Sequence, residues 1–210
     1  MGNLYRPGTL YTTEPIEVQD HDFPSLATGV AIPHGLYDVE DNIGYIQIGT
    51  SRDTTEFACD SIEYWWTTYG KARYPLASSI LLLCDGGGSN SSHYYIFKED
   101  LQALVNRLGI EIRMAHYPPY TSKYNPIEHR LFPHVSRFCQ GVILENVQLF
   151  QELISATTTQ TGLKGFTTIL DKPYQIGRKI ADDFKSNMAI VFDAVLPRWN
   201  YTAIPVLQII

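Results

Sequence analysis

From Gly29 the chain reads GVAIPHGLYDVEDNIGYIQIGTS, two apolar runs around VEDNIG. The Asp, Asn and Gly at that centre suit a turn, so the pattern predicts a β-hairpin. Asp53-Thr-Thr-Glu56 has the form of a capping box, with Asp at the N-cap and Glu three residues on. The helix it opens runs to roughly Tyr69, with Phe57, Ser61, Tyr64 and Trp65 along one face. SSILLLCD is a continuous apolar run, which predicts a strand buried on both faces and ending abruptly at GGGSN. A helix over Tyr94 to Leu108 follows, with Leu101, Leu104, Val105 and Leu108 at helical spacing and Gly109 as its stop. IEIRMAHY is the next strand, parallel to SSILLLCD.

The order of these elements is α/β, with a parallel portion around SSILLLCD and IEIRMAHY. Residues 1 to 28 are rich in Pro, Thr and acidic side chains and read as extended or irregular. After Gly141 the periodicity weakens. Leu144 to Ala156 reads as a helix, ATTTQTGLKG as a connection, and the rest as short pieces ending in PRWNYTAIP. The division expected is a core over residues 1–143 and a helical or irregular extension over 144–210.

Composition narrows the classes. Hydrophobic residues make up 44% of the 210 and charged residues 18%, a globular rather than a disordered balance. The N-terminus lacks a signal-peptide layout, position 6 is Arg where a myristoylation pattern needs Ser or Thr, and no apolar run is long enough to span a membrane. Cys59, Cys84 and Cys139 are far apart and form no C-x-x-C pair, which fits buried thiols in a reducing cytoplasm better than zinc or disulfides. Trp65 and Trp66 read as packing groups. The formal charge of -6 argues against a free-standing nucleic-acid binder. One stretch reverses that sign: between Ile112 and Gln140, Arg113, Lys123, Arg130 and Arg137 face Glu128 as the lone carboxylate.

Two carboxylates are candidates for chemistry. Asp85 ends the most hydrophobic strand, and in open α/β sheets ligands gather at strand carboxyl ends. It also suits the opening of a Gly-rich turn; a P-loop is a poor rival because no GK[ST] follows. Glu128 fits a capping box in Asn125-Pro126-Ile127-Glu128, with Asn at the N-cap, Pro at N1 and Glu at N3. The same geometry turns it towards the sheet edge where Asp85 lies. Two carboxylates converging there would suit a hard divalent cation such as Mg²⁺. Pro133 lies inside the helix carrying Glu128, where an interior proline costs about 3 kcal/mol or bends the later turns.

LCDGGGSN, followed after 42 intervening residues by the Glu of YPPYTSKYNPIEHRLF, resembles the catalytic core of DDE-type transposases of bacterial insertion sequences, distant relatives of mariner-like elements. HDFPSLATGVAIPHGLYDV, DTTEFACDSIEYWW, ATTTQTGLK and the terminal WNYT also look like this family, so the resemblance covers nearly the whole chain. It implies an RNase H-like mixed sheet with flanking helices. Asp85 then matches the second acidic metal ligand and Glu128 the third, for Mg²⁺ or Mn²⁺. Lys123 and Arg130 suit either contact with DNA phosphates or a solvated surface, and His129 either a phosphate contact or packing. The family's chemistry needs a first Asp on a central strand, which would lie before the segment matching NLYRPGTLYTTEPIEVQDHDF. Asp20, Asp22 and Asp38 are poor substitutes, since none follows a strong apolar strand.

The expectation is therefore a transposase core lacking its first, central strand and its upstream DNA-binding helices. Such a chain would bind transposon-end DNA by resemblance, give little strand transfer alone and carry two unpaired sheet edges. The alternatives are a working enzyme whose start codon is set too late, and a non-catalytic protein that associates with full-length transposase. A nuclease using Asp20 or Asp22 is the weakest.

Overall fold

The computed structural model describes residues 1–20, 24–87, 94–118 and 120–206. In chain order the first elements are β1 (Ile32–Asp38), β2 (Ile43–Gly49), α1 (Thr55–Trp65), α2 (Lys71–Arg73), β3 (Ser79–Cys84), α3 (Tyr95–Leu108) and β4 (Glu111–His116). There follow α4 (Ile127–Arg130), α5 (Phe132–Phe138), α6 (Val147–Ser155), β5 (Lys164–Leu170), α7 (Phe184–Asn187), β6 (Ile190–Phe192) and β7 (Asn200–Ala203). The chain divides into two compact units, Met1–Arg52 with Pro126–Pro173, and Asp53–Asn125 with Tyr174–Ile210.

The first unit is built on a sheet of order β1-β2-β5, antiparallel between β1 and β2 and parallel between β2 and β5. The hairpin is the one the alternating pattern predicts, with Asn42 at φ 55 in the turn. Ile46 and Ile48 of β2 join Leu131, Val135, Leu144, Phe150, Ile154 and Leu163 in one core. Each fully buried aliphatic side chain there contributes roughly 1.5–3 kcal/mol. Two glycines set how near the helices lie. A β-carbon on Gly44 would stand 2.4 Å from Leu131 Cδ1, and one on Gly35 would stand 2.7 Å from Phe132. The first residues form the irregular segment expected, tied down where Gly2 N–H donates to the Leu144 carbonyl (2.8 Å) and Gly141 N–H to that of Pro7 (3.0 Å).

Parts of this unit depart from the sequence reading. The helix over Leu144 to Ala156 is shorter, starting at Val147 because the Asn146 side chain caps it by accepting from Leu149 N–H at 2.8 Å. β5 lies in a stretch read as short pieces; its partner is β2, more than a hundred residues earlier, and that pairing leaves no local signal. The helix carrying Glu128 does not merely bend. It ends at Arg130, Leu131 departs from helical geometry at φ -123 and ψ -63, and Pro133 falls in the first turn of α5. There its missing amide hydrogen costs nothing.

The second unit has a sheet of order β3-β4-β7-β6, parallel between β3 and β4 and antiparallel across β4, β7 and β6. α3 packs Phe97, Leu101, Leu104 and Val105 inward and ends at Gly109, whose φ of 67 suits glycine. α1 buries Phe57, Ala58, Cys59, Ser61 and Ile62. Tyr64 and Trp65 are only half-buried, while Trp66, four residues after the buried Ile62, is buried and opens a π-helical turn over Trp66–Gly70. The cap is Thr54 rather than Asp53, its hydroxyl accepting from Phe57 N–H at 3.1 Å.

β3 is not buried on both faces. It is the outer strand of its sheet, and Leu81 and Leu83 are 58% and 44% exposed. β1 is likewise the outer strand of the first sheet. The mixed α/β fold expected is present as two mixed sheets with flanking helices, and β1 and β3 are each an outer strand among the described residues. Cys59 and Cys139 are buried thiols and Cys84 is half-buried. No helix of the described residues is long and apolar enough to cross a membrane.

Candidate active site

β3 and β4 run parallel, so both carboxyl ends reach one edge of the second unit. Asp85 follows the last residue of β3. Beside it, Tyr117 N–H donates to the Cys84 carbonyl at 2.8 Å, which continues the ladder past the strand ends. The chain then turns back over residues 117–118 and 120–125. Thr121 closes the turn through its hydroxyl, which donates to the Pro118 carbonyl at 2.6 Å, and Tyr124 N–H donates to the Thr121 carbonyl. Asn125 N–H donates to the Ser122 carbonyl at 2.8 Å. That turn delivers Asn125, 6% exposed, with its Nδ2–H donating to Asp85 Oδ1 at 3.2 Å.

Asn125 is therefore no helix cap. No side chain caps α4, and Pro126 occupies the cap position. The capping box expected for Asn125 and Glu128 is not formed: the Asn125 amide nitrogen donates to Asp85, and no side chain caps α4. Asn125 is the residue whose role sequence reasoning missed; a local motif explained it so well that no signal for a distant partner remained.

A polar and aromatic layer lies behind this edge. His116, buried at the end of β4, stacks on Tyr201 with ring centroids 5.7 Å apart. Its Nδ1 lies 2.9 Å from the Trp199 carbonyl, and since a carbonyl only accepts, Nδ1 carries the proton. The Lys98 ammonium sits 4.7 Å from the Tyr201 ring centroid and 5.3 Å from that of Tyr95. Burial pulls that ammonium below the ordinary lysine value and pushes the Tyr201 phenol well above the ordinary tyrosine value.

Glu128 belongs to the first unit, half-buried on α4. α4 is held by its apolar neighbours: Ile127 lies over Gly35, and Leu131 over Gly44. His129 and Arg130 are exposed in the last turn of α4. Lys123 is exposed in the second unit, its Nζ 5.2 Å from the Tyr124 ring centroid. Asp85 and Lys123 thus stand in one unit, and Glu128, His129 and Arg130 in the other.

The other acidic candidates are otherwise occupied or apart. Asp38 Oδ1 accepts from the amides of Glu40 (3.1 Å) and Asp41 (3.2 Å), which fixes the hairpin turn. Asp20 is exposed on the irregular segment, and Asp22 lies outside the described residues. Among the described residues no group of three or more His, Cys, Asp or Glu side chains is arranged to hold a metal ion. The donor chemistry at Asp85 still suits a hard cation. One hydrogen bond to Oδ1 leaves most of the carboxylate's lone pairs for such an ion, and Mg²⁺ is commonly held by one or two carboxylates plus water and phosphate.

The family model described as the Rhodopirellula transposase DDE domain matches residues 1–205. The chain belongs to that family. No curated protein and no solved structure shows significant similarity to it. Two mixed sheets with flanking helices are consistent with an RNase H-like DDE transposase domain. Membership in this family connects the chain to DNA cleavage in transposition, and to the divalent metal that such transposases normally use.

Proposed function

We propose that this transposase domain serves metal-dependent DNA cleavage and strand transfer through Asp85 and Glu128, together with a third carboxylate that Asp20 and Asp38 do not supply. The observation that carries the reading is the hydrogen bond from Asn125 to Asp85, three residues ahead of Glu128 in a chain of this family. Asn125 holds the orientation of the Asp85 carboxylate. Glu128 is the second ligand, on a helix anchored by Ile127 and Leu131. Mg²⁺ or Mn²⁺ bound there supplies Lewis acidity at the phosphodiester. Lys123, His129 and Arg130 position the DNA backbone through its phosphates.

Catalytic groups that act as a unit are not additive, and losing one member costs on the order of 10⁴-fold. The chain alone therefore gives little or no strand transfer. A strand-transfer assay on plasmid DNA with Mn²⁺ tests this. Product from the chain is expected at trace level at most, and Asp85→Ala or Glu128→Ala abolishes it. If either variant forms as much product as the unchanged chain, the assignment fails.

A second reading, association with full-length transposase, is favoured by the outer strand β3 and its exposed Leu81 and Leu83. An unpaired apolar edge is a template for another chain. Co-purification with a full-length relative supports it, and failure to associate removes it.

A further inference from the structure

The helical stretch that carries Glu128 continues past its break as a basic face. Leu131 N–H donates to the Ile127 carbonyl and Val135 N–H to that of Leu131, both at 3.1 Å, so backbone hydrogen bonds span the break between α4 and α5. Leu131, Val135 and Cys139, at four-residue spacing, are buried in the core of the first unit. Arg130 and Arg137 are exposed, and Arg137 lies on the side of α5 opposite Val135. About two turns of helix, roughly 10 Å of rise, separate the two arginines.

Arg6 joins them from the irregular first segment. The Pro7 carbonyl accepts from Gly141 N–H at 3.0 Å, and Gly8 lies against Gln140, so this segment crosses the end of α5. Arg6 is half-buried and lines a groove of about 240 Å³ with Leu4, Gly8, Gly141 and Val142. Its charge opposes the upward push of burial on the Cys139 thiol. Among the described residues, none of Arg6, Arg130 and Arg137 has a carboxylate partner or a side-chain hydrogen bond. The second unit differs: Arg107 pairs with Glu63, and Arg178 with Asp100 and Glu56. Carboxylates are not scarce in the first unit, which holds eleven Asp and Glu against six Lys and Arg. Three of those six cations nevertheless stand together without a counter-ion. A half-buried guanidinium in that state costs stability that an arriving anion restores.

We propose that Arg137 and Arg6 bind the phosphate backbone of duplex DNA flanking the cut, continuing a track that Arg130 opens beside Glu128. Both are positioning residues, and the inference rests on the DNA reading above for its ligand. The rise from Arg130 to Arg137 matches about three phosphate steps along one DNA strand. Contacts of this kind fix the register and orientation of a duplex without reading its sequence. The face thus guides DNA towards the Glu128 carboxylate, on the same run of helix.

The test is fluorescence anisotropy of the purified chain with a fluorescein-labelled DNA duplex across a salt series. Arg137→Ala and Arg6→Ala are each expected to reduce the slope of log affinity against log salt by about 0.9, and the double variant by about twice that. Arg137→Lys is expected to keep the slope, since a phosphate accepts either cation. Lys164, an exposed cation of β5 in the same unit, serves as the comparison, and Lys164→Ala is expected to leave the slope unchanged. Arg137 is exposed, so its variants decide the matter even if Arg6→Ala fails to fold. An unchanged slope in Arg137→Ala, a loss in Arg137→Lys, or an equal loss in Lys164→Ala overturns the inference and leaves the DNA reading standing. No binding by the wild-type chain overturns both.

Discussion

The amide of Asn125 donates to the carboxylate of Asp85 at 3.2 Å, across 40 residues of sequence. A buried side chain with that bond orients a carboxylate that would otherwise rotate freely at a strand end. Asn125→Ala is expected to weaken Mg²⁺ binding by about 10–100-fold, as removal of an outer partner of a ligating carboxylate does. The fold should lose about 1–3 kcal/mol as well, for a hydrogen bond to a charged acceptor. Calorimetric titration with Mg²⁺ beside a thermal melt measures both. Unchanged Mg²⁺ affinity in a folded variant would show that Asn125 does not position the ligand.

Tyr174 gives the stability a sign at alkaline pH. Its hydroxyl donates to Asp60 Oδ2 at 3.0 Å, and burial, then the charge of Asp60, raises the phenol well above its ordinary value of 10. Tyr201 is raised too, burial again first. A phenol whose folded value is raised favours the folded state fully below the unfolded value. That contribution is lost as pH rises above about 10, where the unfolded chain ionises and the folded one does not. Denaturant melts should therefore show stability falling above pH 10. Tyr174→Phe should cost about 1 kcal/mol near neutrality and make the alkaline fall shallower. An equally steep fall in the variant would remove Tyr174 from this account.

The outer strand β3 makes a third expectation. Leu81 and Leu83 point to one side of a strand whose outer edge is unpaired among the described residues, and such an edge invites pairing with another chain. The purified chain should associate with rising concentration, and Leu81→Lys should suppress this without lowering the melting temperature. Sedimentation velocity over a concentration series measures it. A monomer with a cooperative melt at every concentration would contradict both the open edge and the expectation of marginal folding.

What the amino-acid pattern reveals here follows the range of the interactions. The hairpin, α3 with its Gly109 stop, and the parallel β3 and β4 were legible because turn residues and apolar spacing are local. Pro133 announced a break, though not that Leu131 would make it. β5 was hidden because KGFTTIL has no strong alternation and its partner β2 is remote. Burial of β3 was overestimated because an apolar run does not reveal that its strand lies at an edge. At the candidate site, strand-end placement pointed to Asp85, but the Asn125 bond and the bond between His116 and Trp199 arise from contacts between distant segments. In Asn125-Pro126-Ile127-Glu128 a good local motif concealed a long-range partner.

The central claim is that Asp85 and Glu128 hold one divalent-cation site. Iron-mediated cleavage tests it without a third carboxylate or a DNA substrate. Fe²⁺ takes the place of Mg²⁺, and with ascorbate and peroxide it cuts the backbone beside the groups that bind it. The account predicts cuts next to both Asp85 and Glu128, suppressed by excess Mg²⁺ and lost together in Asp85→Ala. Cuts at neither position, or at one that persists when the other carboxylate is removed, would contradict it.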